Sequence, residues 1–207
     1  MVSTADLEVE VKFYTPDLTA VRQRLLAEGA ELVADRIFER NMRFDNSQGE
    51  LQHKRQLLRL RQDRAARLTF KGESAHQAGS EAQVREELEI TVSSFETAVA
   101  ILQRLGLQPV QLYEKYRETF RLGPVEIVLD ELPFGNFVEL EGEEAAIRAV
   151  AATLGLDWSR RILYNYLYLM ALLKEQQELP FSDLTFDNFR QTTATITDIL
   201  ELLAVSA

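Results

Sequence analysis

The chain has 207 residues, enough for one domain with a sizeable core, and its 46% hydrophobic and 27% charged residues are an ordinary globular balance. Its formal net charge of −10 argues against broad electrostatic binding to nucleic acid or anionic lipid, and its lack of cysteine excludes disulfides, thiolate zinc sites and cysteine nucleophiles. No basic-then-apolar leader opens the sequence, and the most apolar run, ILYNYLYLMALL (162–173), is too short to span a bilayer, so a cytoplasmic protein is expected.

The elements follow in chain order. LEVEVKF (7–13) alternates as a strand, and TPDLTAVRQRLLAEGA (15–30) reads as a helix that Pro16 and Asp17 start and Gly29 ends. A strand over 35–45 leads into turn chemistry at 45–50. LLRLR (57–61) and ARLTFKG (66–72) pair as a hairpin, 73–82 reads as a loop, and VREELEITV (84–92) alternates again. A helix over 93–107 has a serine cap and stops at Gly106. Three strands (111–122, 125–132 and 136–142) are joined by Gly123-Pro124 and Pro133-Phe134-Gly135. Helices are expected over 143–156 and 159–177, and one more within the tail 179–204. Eight strands with hairpin links favour an antiparallel sheet, of a size that commonly closes into a barrel.

Side chains alternate across a strand. One face carries Glu8, Glu10 and Lys12, then Arg59 and Arg61, Lys71, Arg85 with Glu87 and Glu89, Lys115 with Arg117, Glu126 with Asp130, and Glu139 with Glu141. The opposite faces are apolar, so the simplest arrangement puts the helices outside and the charges inside. Charges in a dry interior cost several kcal/mol each unless paired. An inward charged set therefore implies a wet channel, or a ligand carrying opposite charge. A polyanion chelated to divalent cations meets both needs, because Arg and Lys hold phosphate oxygens while carboxylates hold Mg²⁺ or Mn²⁺.

Glu8-x-Glu10-x-Lys12 resembles the ExExK signature of CYTH domains, the family named for class IV adenylyl cyclases and thiamine triphosphatases. The later pieces stand in the family's order: Arg59-x-Arg61, Lys71 in TFKG, Arg85-x-Glu87-x-Glu89, Lys115-x-Arg117, Asp130 in VLDE and Glu139-x-Glu141 in FVELEG. The resemblance covers roughly residues 6–172, and LDELPFGNFVELEG looks closest to the bacterial class IV cyclase-like branch. Phe134 stands where members often have Leu, and Asn165-Tyr166 where many have Ser-Tyr.

The resemblance implies an α+β fold: a closed eight-stranded antiparallel β-barrel, the triphosphate tunnel, with helices packed outside. It would occupy 1–175, with 176–207 as a helical extension that packs on the barrel or mediates a homodimer. Lys12, Arg59, Arg61, Lys71, Arg85, Lys115 and Arg117 would then bind the triphosphate. Glu8, Glu10, Asp130, Glu139 and Glu141 would hold Mg²⁺ or Mn²⁺, with Glu126 as a further candidate, while Glu87 and Glu89 in support would orient the bases through ion pairs. The expected activity is hydrolysis of a small-molecule triphosphate. The alternatives are a class IV adenylyl cyclase, a non-catalytic polyphosphate or nucleotide binder, and a barrel with internal ion pairs only. No residue stands out as general base. His53 and His76 read as surface or loop residues, the aromatic stripe LYNYLYLM as core, and Trp158 as packing at a helix start.

Overall fold

The computed structural model describes residues 7–75 and 83–204, with side chains over 10–72 and 86–203. The strands are β1 (Leu7–Thr15), β2 (Glu31–Asp45), β3 (Leu57–Gln62), β4 (Ala66–Ala75), β5 (Gln83–Val92), β6 (Gln108–Leu122), β7 (Val125–Leu132) and β8 (Gly135–Glu141). The helices are α1 (Leu18–Ala27), α2 (Glu50–His53), α3 (Phe95–Arg104), α4 (Glu144–Thr153), α5 (Tyr166–Gln176), α6 (Phe186–Phe189) and α7 (Leu200–Ala204).

Local chemistry sets the helix starts. Asp17 accepts hydrogen bonds from the Thr19 and Ala20 amides at 2.8 and 3.1 Å, and Ser94 accepts from Thr97 at 3.1 Å. Asn165 does the same for Leu167 and Tyr168 at the start of α5. Turn chemistry was expected at 45–50; the short α2 follows directly, because buried Asp45 accepts from the amides of Asn46, Leu51 and Gln52. The strand expected over 35–45 begins at Glu31, with irregular register between Leu32 and Ile37. The tail has short α6 and α7 with a 3₁₀ turn at Ile196–Asp198 in place of a single helix. His53 ends α2 and is exposed, and His76 lies outside the described residues.

All strand pairings are antiparallel, in the order β1-β5-β4-β3-β2-β6-β7-β8, and β1 pairs with both β5 and β8. The expected closed barrel with helices outside needs correction on three points. First, among the described residues β1 is not sealed along its length: β5 reaches only Leu7–Glu10 and β8 only Glu10–Thr15, so of these Glu10 alone has partners on both sides. Second, segments outside the strands occupy the edges left open. Ile162 exchanges backbone hydrogen bonds with Lys12 at 2.7 and 3.2 Å, and Leu184 bridges to β6 at Leu112 and Glu114. Third, not every helix lies outside, and not every outer face is covered.

Three helices do pack outside as expected, and α1 does so through Leu25, with Leu18 and Val21 beside it. α4 lays Ile147, Val150 and Ala151 against Val11, Ile127, Val138 and Leu140, and α3 lays Phe95, Ala98 and Leu102 against Phe44 and Leu60. α5 and the tail instead cover one end of the sheet. There Leu167, Leu169, Met170, Leu173, Leu184 and Ile196 join Tyr113, Leu132 and Phe137 in one cluster. Leu88 and Ile90 on the outer face of β5 are 52% and 61% exposed, with no helix over them.

Candidate functional site

Cross-strand partners point to the same face, so register assigns the enclosed side. Glu10 and Lys12 stand opposite Glu141 and Glu139, and Glu141 stands opposite Glu126. Arg117 faces Asp130, Lys115 faces Glu39, Arg61 faces Asn41, and Arg59 faces Arg43. Lys71 and Thr69 face Glu87 and Glu89. The expected residues thus come to one enclosed face, except that the side chains of Glu8 and Arg85 lie outside the described residues.

Asp130 is the hub. It is fully buried and accepts from Lys115 Nζ at 2.9 Å, from Arg117 Nε and Nη2 at 2.7 and 2.6 Å, and from the Tyr166 hydroxyl at 3.0 Å. Arg117 Nη2 also meets Glu139 at 2.5 Å. Lys12 pairs with Glu10 and, at 3.3 Å, with Glu139. Lys71 meets Glu87 at 2.5 Å. Arg61 spans Glu39 at 3.4 Å and Glu89 at 3.6 Å. Arg59 rests on neutral partners, the Tyr113 hydroxyl at 3.2 Å and Thr69 Oγ1 at 3.3 Å, with Glu89 only at 4.0 Å.

The field keeps Glu39, Glu139 and Arg117 ionised. Burial opposes charge on Glu39, but Lys115, Arg117, Arg61 and Arg59 outweigh it and hold the carboxyl at about 2. Burial likewise opposes charge on Glu139, and Lys12, Arg117 and Lys115 drive it well below the usual range. Burial also resists charge on Arg117, yet Asp130 and Glu139 leave its guanidinium still harder to deprotonate. The Tyr166 hydroxyl is pushed up, first by burial and then by Asp130 and Glu139, so it stays a donor. Its ring also sits 5.5 and 5.4 Å from Lys12 and Lys115 Nζ.

The CYTH domain profile matches residues 6–164. The chain belongs to the CYTH domain family. A Methanocaldococcus jannaschii protein named "putative adenylate cyclase" is 26% identical over 137 residues, which is 65% of this chain and 76% of that one. A Vibrio parahaemolyticus structure of the same description superposes with TM-score 0.70 at 20% identity, over 80% of this chain and 98% of that one. A Hippeastrum structure, likewise named an adenylyl cyclase but with a dominant triphosphatase activity, has TM-score 0.55 at 17% identity, over 76% and 91% of the two chains.

Within this CYTH fold, three of the acids that the resemblance assigns to a cation, Glu10, Asp130 and Glu139, are partners of bases. The hydrogen bonds to Asp130 use the capacity of a carboxylate, about four lone-pair sites. Glu10 and Glu139 share Lys12. Among the described residues no group of three or more Asp, Glu or His side chains is gathered to hold a metal ion. Register does align Glu10, Glu141 and Glu126 across three strands, and like charges directly opposite one another are unfavourable. The oxygen donors suit a hard cation, but among the described side chains Glu10, Asp130 and Glu139 are already engaged by bases.

Several site residues escaped the sequence reading. Glu39, Asn41 and Arg43 alternate against Phe38, Met42 and Phe44 in FERNMRFD, so the signal was there. Tyr166 was read as core. Its ring is core, packed edge-on to Phe137 at 5.0 Å, while its hydroxyl is in the site. No sequence spacing links it to Asp130.

Proposed function

We propose that this CYTH protein is an enzyme that binds a triphosphate compound along the enclosed basic face and hydrolyses its terminal phosphate. One observation carries the reading: Arg59 and Arg61 each bury a guanidinium Nε with no hydrogen-bond partner, beside Lys71, Lys115 and Arg117. Buried donors left unpaired cost about 1–3 kcal/mol each, and a phosphate oxygen satisfies them.

On this reading, Arg59, Arg61, Lys71, Lys115 and Arg117 clamp the phosphate chain, while Glu39, Asp130 and Glu139 keep the bases charged and aimed. Water attacks the terminal phosphorus, the bond to the bridging oxygen breaks, and the basic groups stabilise charge on that leaving oxygen. The relatives' names support triphosphate chemistry in general: one type of name implies cyclisation of ATP, the other hydrolysis.

The test is a panel of tripolyphosphate, ATP and thiamine triphosphate with Mg²⁺ or Mn²⁺, following phosphate, pyrophosphate and cyclic AMP. Phosphate release that is abolished by Arg59→Ala or Glu10→Gln, with the fold intact, is expected. Cyclic AMP with pyrophosphate from ATP would replace hydrolysis by the cyclase reading. Tight binding without turnover would leave a binding module.

A further inference from the structure

The wall built by β2 and β3 carries more unpaired polar atoms than its ion pairs explain. Arg43 on β2 stands directly opposite Arg59 on β3 and opposite Gln111 on β6. Its Nη1 donates to Gln111 Oε1 at 3.1 Å, and its Nε is buried without a partner. Among the described residues no carboxylate lies within ion-pair distance of it; nearby Asp45 spends its oxygens on the amides of α2. Next along the same face, Asn41 is fully buried, and neither its Nδ2 nor its Oδ1 has a partner. Burial also makes the Arg43 guanidinium easier to deprotonate, against the pull of Tyr113 and Asp45.

Two guanidiniums facing each other across a strand pair repel. A structural role for Arg43 would supply a carboxylate, as Arg61, Arg117 and Lys71 each have. Six buried atoms on this wall lack a hydrogen bond: the acceptors Glu39 Oε2 and Asn41 Oδ1, and the donors Asn41 Nδ2 and the Nε of Arg43, Arg59 and Arg61. Arg61 Nε has Asp63 at 3.6 Å, so the donors of Arg43, Arg59 and Asn41 are the set that an anion would pair with.

We propose that Arg43, with Asn41 beside it and Arg59 opposite, forms a further phosphate subsite on the enclosed face. It adds a contact that linear phosphate chains of three or more units reach and pyrophosphate does not. The inference rests on the tunnel-binding reading above and names which end of the basic face extends it. Arg43 binds ligand directly, and Gln111 positions its guanidinium.

The experiment is calorimetric binding of pyrophosphate and tripolyphosphate, with and without Mg²⁺, to the wild type, Arg43→Gln, Arg43→Lys and Arg59→Ala, with melting curves of each ligand-free protein. Arg43→Gln should weaken tripolyphosphate by about tenfold or more and leave pyrophosphate within about twofold, while Arg43→Lys recovers most of the loss. The ligand-free melting temperature of Arg43→Gln should hold or rise, because a repulsion is removed. A lowered melting temperature or failure to fold would make Arg43 structural and overturn the subsite. So would an unchanged ratio of the two affinities. If Arg59→Ala weakens tripolyphosphate while Arg43→Gln does not, only the subsite fails. If the wild type binds neither phosphate, the tunnel reading fails with it.

Discussion

Asp130→Asn keeps the side chain's shape and removes the charge on which Lys115, Arg117 and Tyr166 converge. Asp130 has no exposed surface, so water cannot take over its role. Removing one partner of a buried ion pair typically costs about 3–5 kcal/mol. The lower end applies, because Arg117 keeps Glu139 at 2.5 Å and Lys115 keeps Glu39 at 3.9 Å. For a chain of this size, about 3 kcal/mol corresponds to about 6–12 °C in melting temperature. Urea denaturation followed by circular dichroism measures it. Tripolyphosphate should then stabilise the variant more than the wild type, since Lys115 and Arg117 have one carboxylate fewer to give up. A loss below about 1 kcal/mol would refute the hub. Smaller ligand stabilisation in the variant than in the wild type would refute its competition with phosphate.

Three further outcomes follow from the geometry. Glu39 titrates at about 2 instead of 4.5, so its stabilising contribution is complete above 4.5 and fades as pH falls towards 2. That contribution is about 3 kcal/mol, and Glu39→Gln should flatten the acid limb of a stability–pH profile by that order. Tyr166→Phe removes a hydrogen bond to a buried carboxylate, and chemical denaturation should register a loss of about 1.5–3 kcal/mol. A Cβ added at Gly135, where φ is +157°, would meet Ile196 Cγ2 at 2.6 Å. Gly135→Ala should therefore cost about 1–3 kcal/mol, and hydrogen exchange at Ile196–Asp198 should rise as the tail is displaced.

The strand alternation that reveals a charged face is a local property, and so Lys12, Arg59, Arg61, Lys71, Lys115 and Arg117 could be read directly as one set. Helix limits were equally local where a capping side chain set them, as at Asp17, Ser94 and Asn165. What could not be read depends on partners distant in the chain. The split of β1 between β5 and β8 turns on the backbone of Ile162, whose role carries no side-chain signature. Asp130 reads as a possible cation ligand until the donors around it are placed, two from β6 and one from α5. The tail misled for a different reason: its apolar residues bury against α5 from short turns, so helical spacing was a poor guide to its structure.

The stagger at β1 also bears on how the molecule is made. β1 leaves the ribosome before all of its partners: it finds β5 only after residue 83, β8 after residue 135 and the backbone of Ile162 later still. During synthesis, a strand with bare hydrogen-bonding edges waits for most of the chain, and pairing across such separations is slow because a long loop must first be closed. Glu10 and Lys12 serve that interval as well as the finished site: charges on a waiting edge discourage pairing with a neighbouring nascent chain. The charges that line the enclosed face of the folded protein thus also guard the chain before it folds.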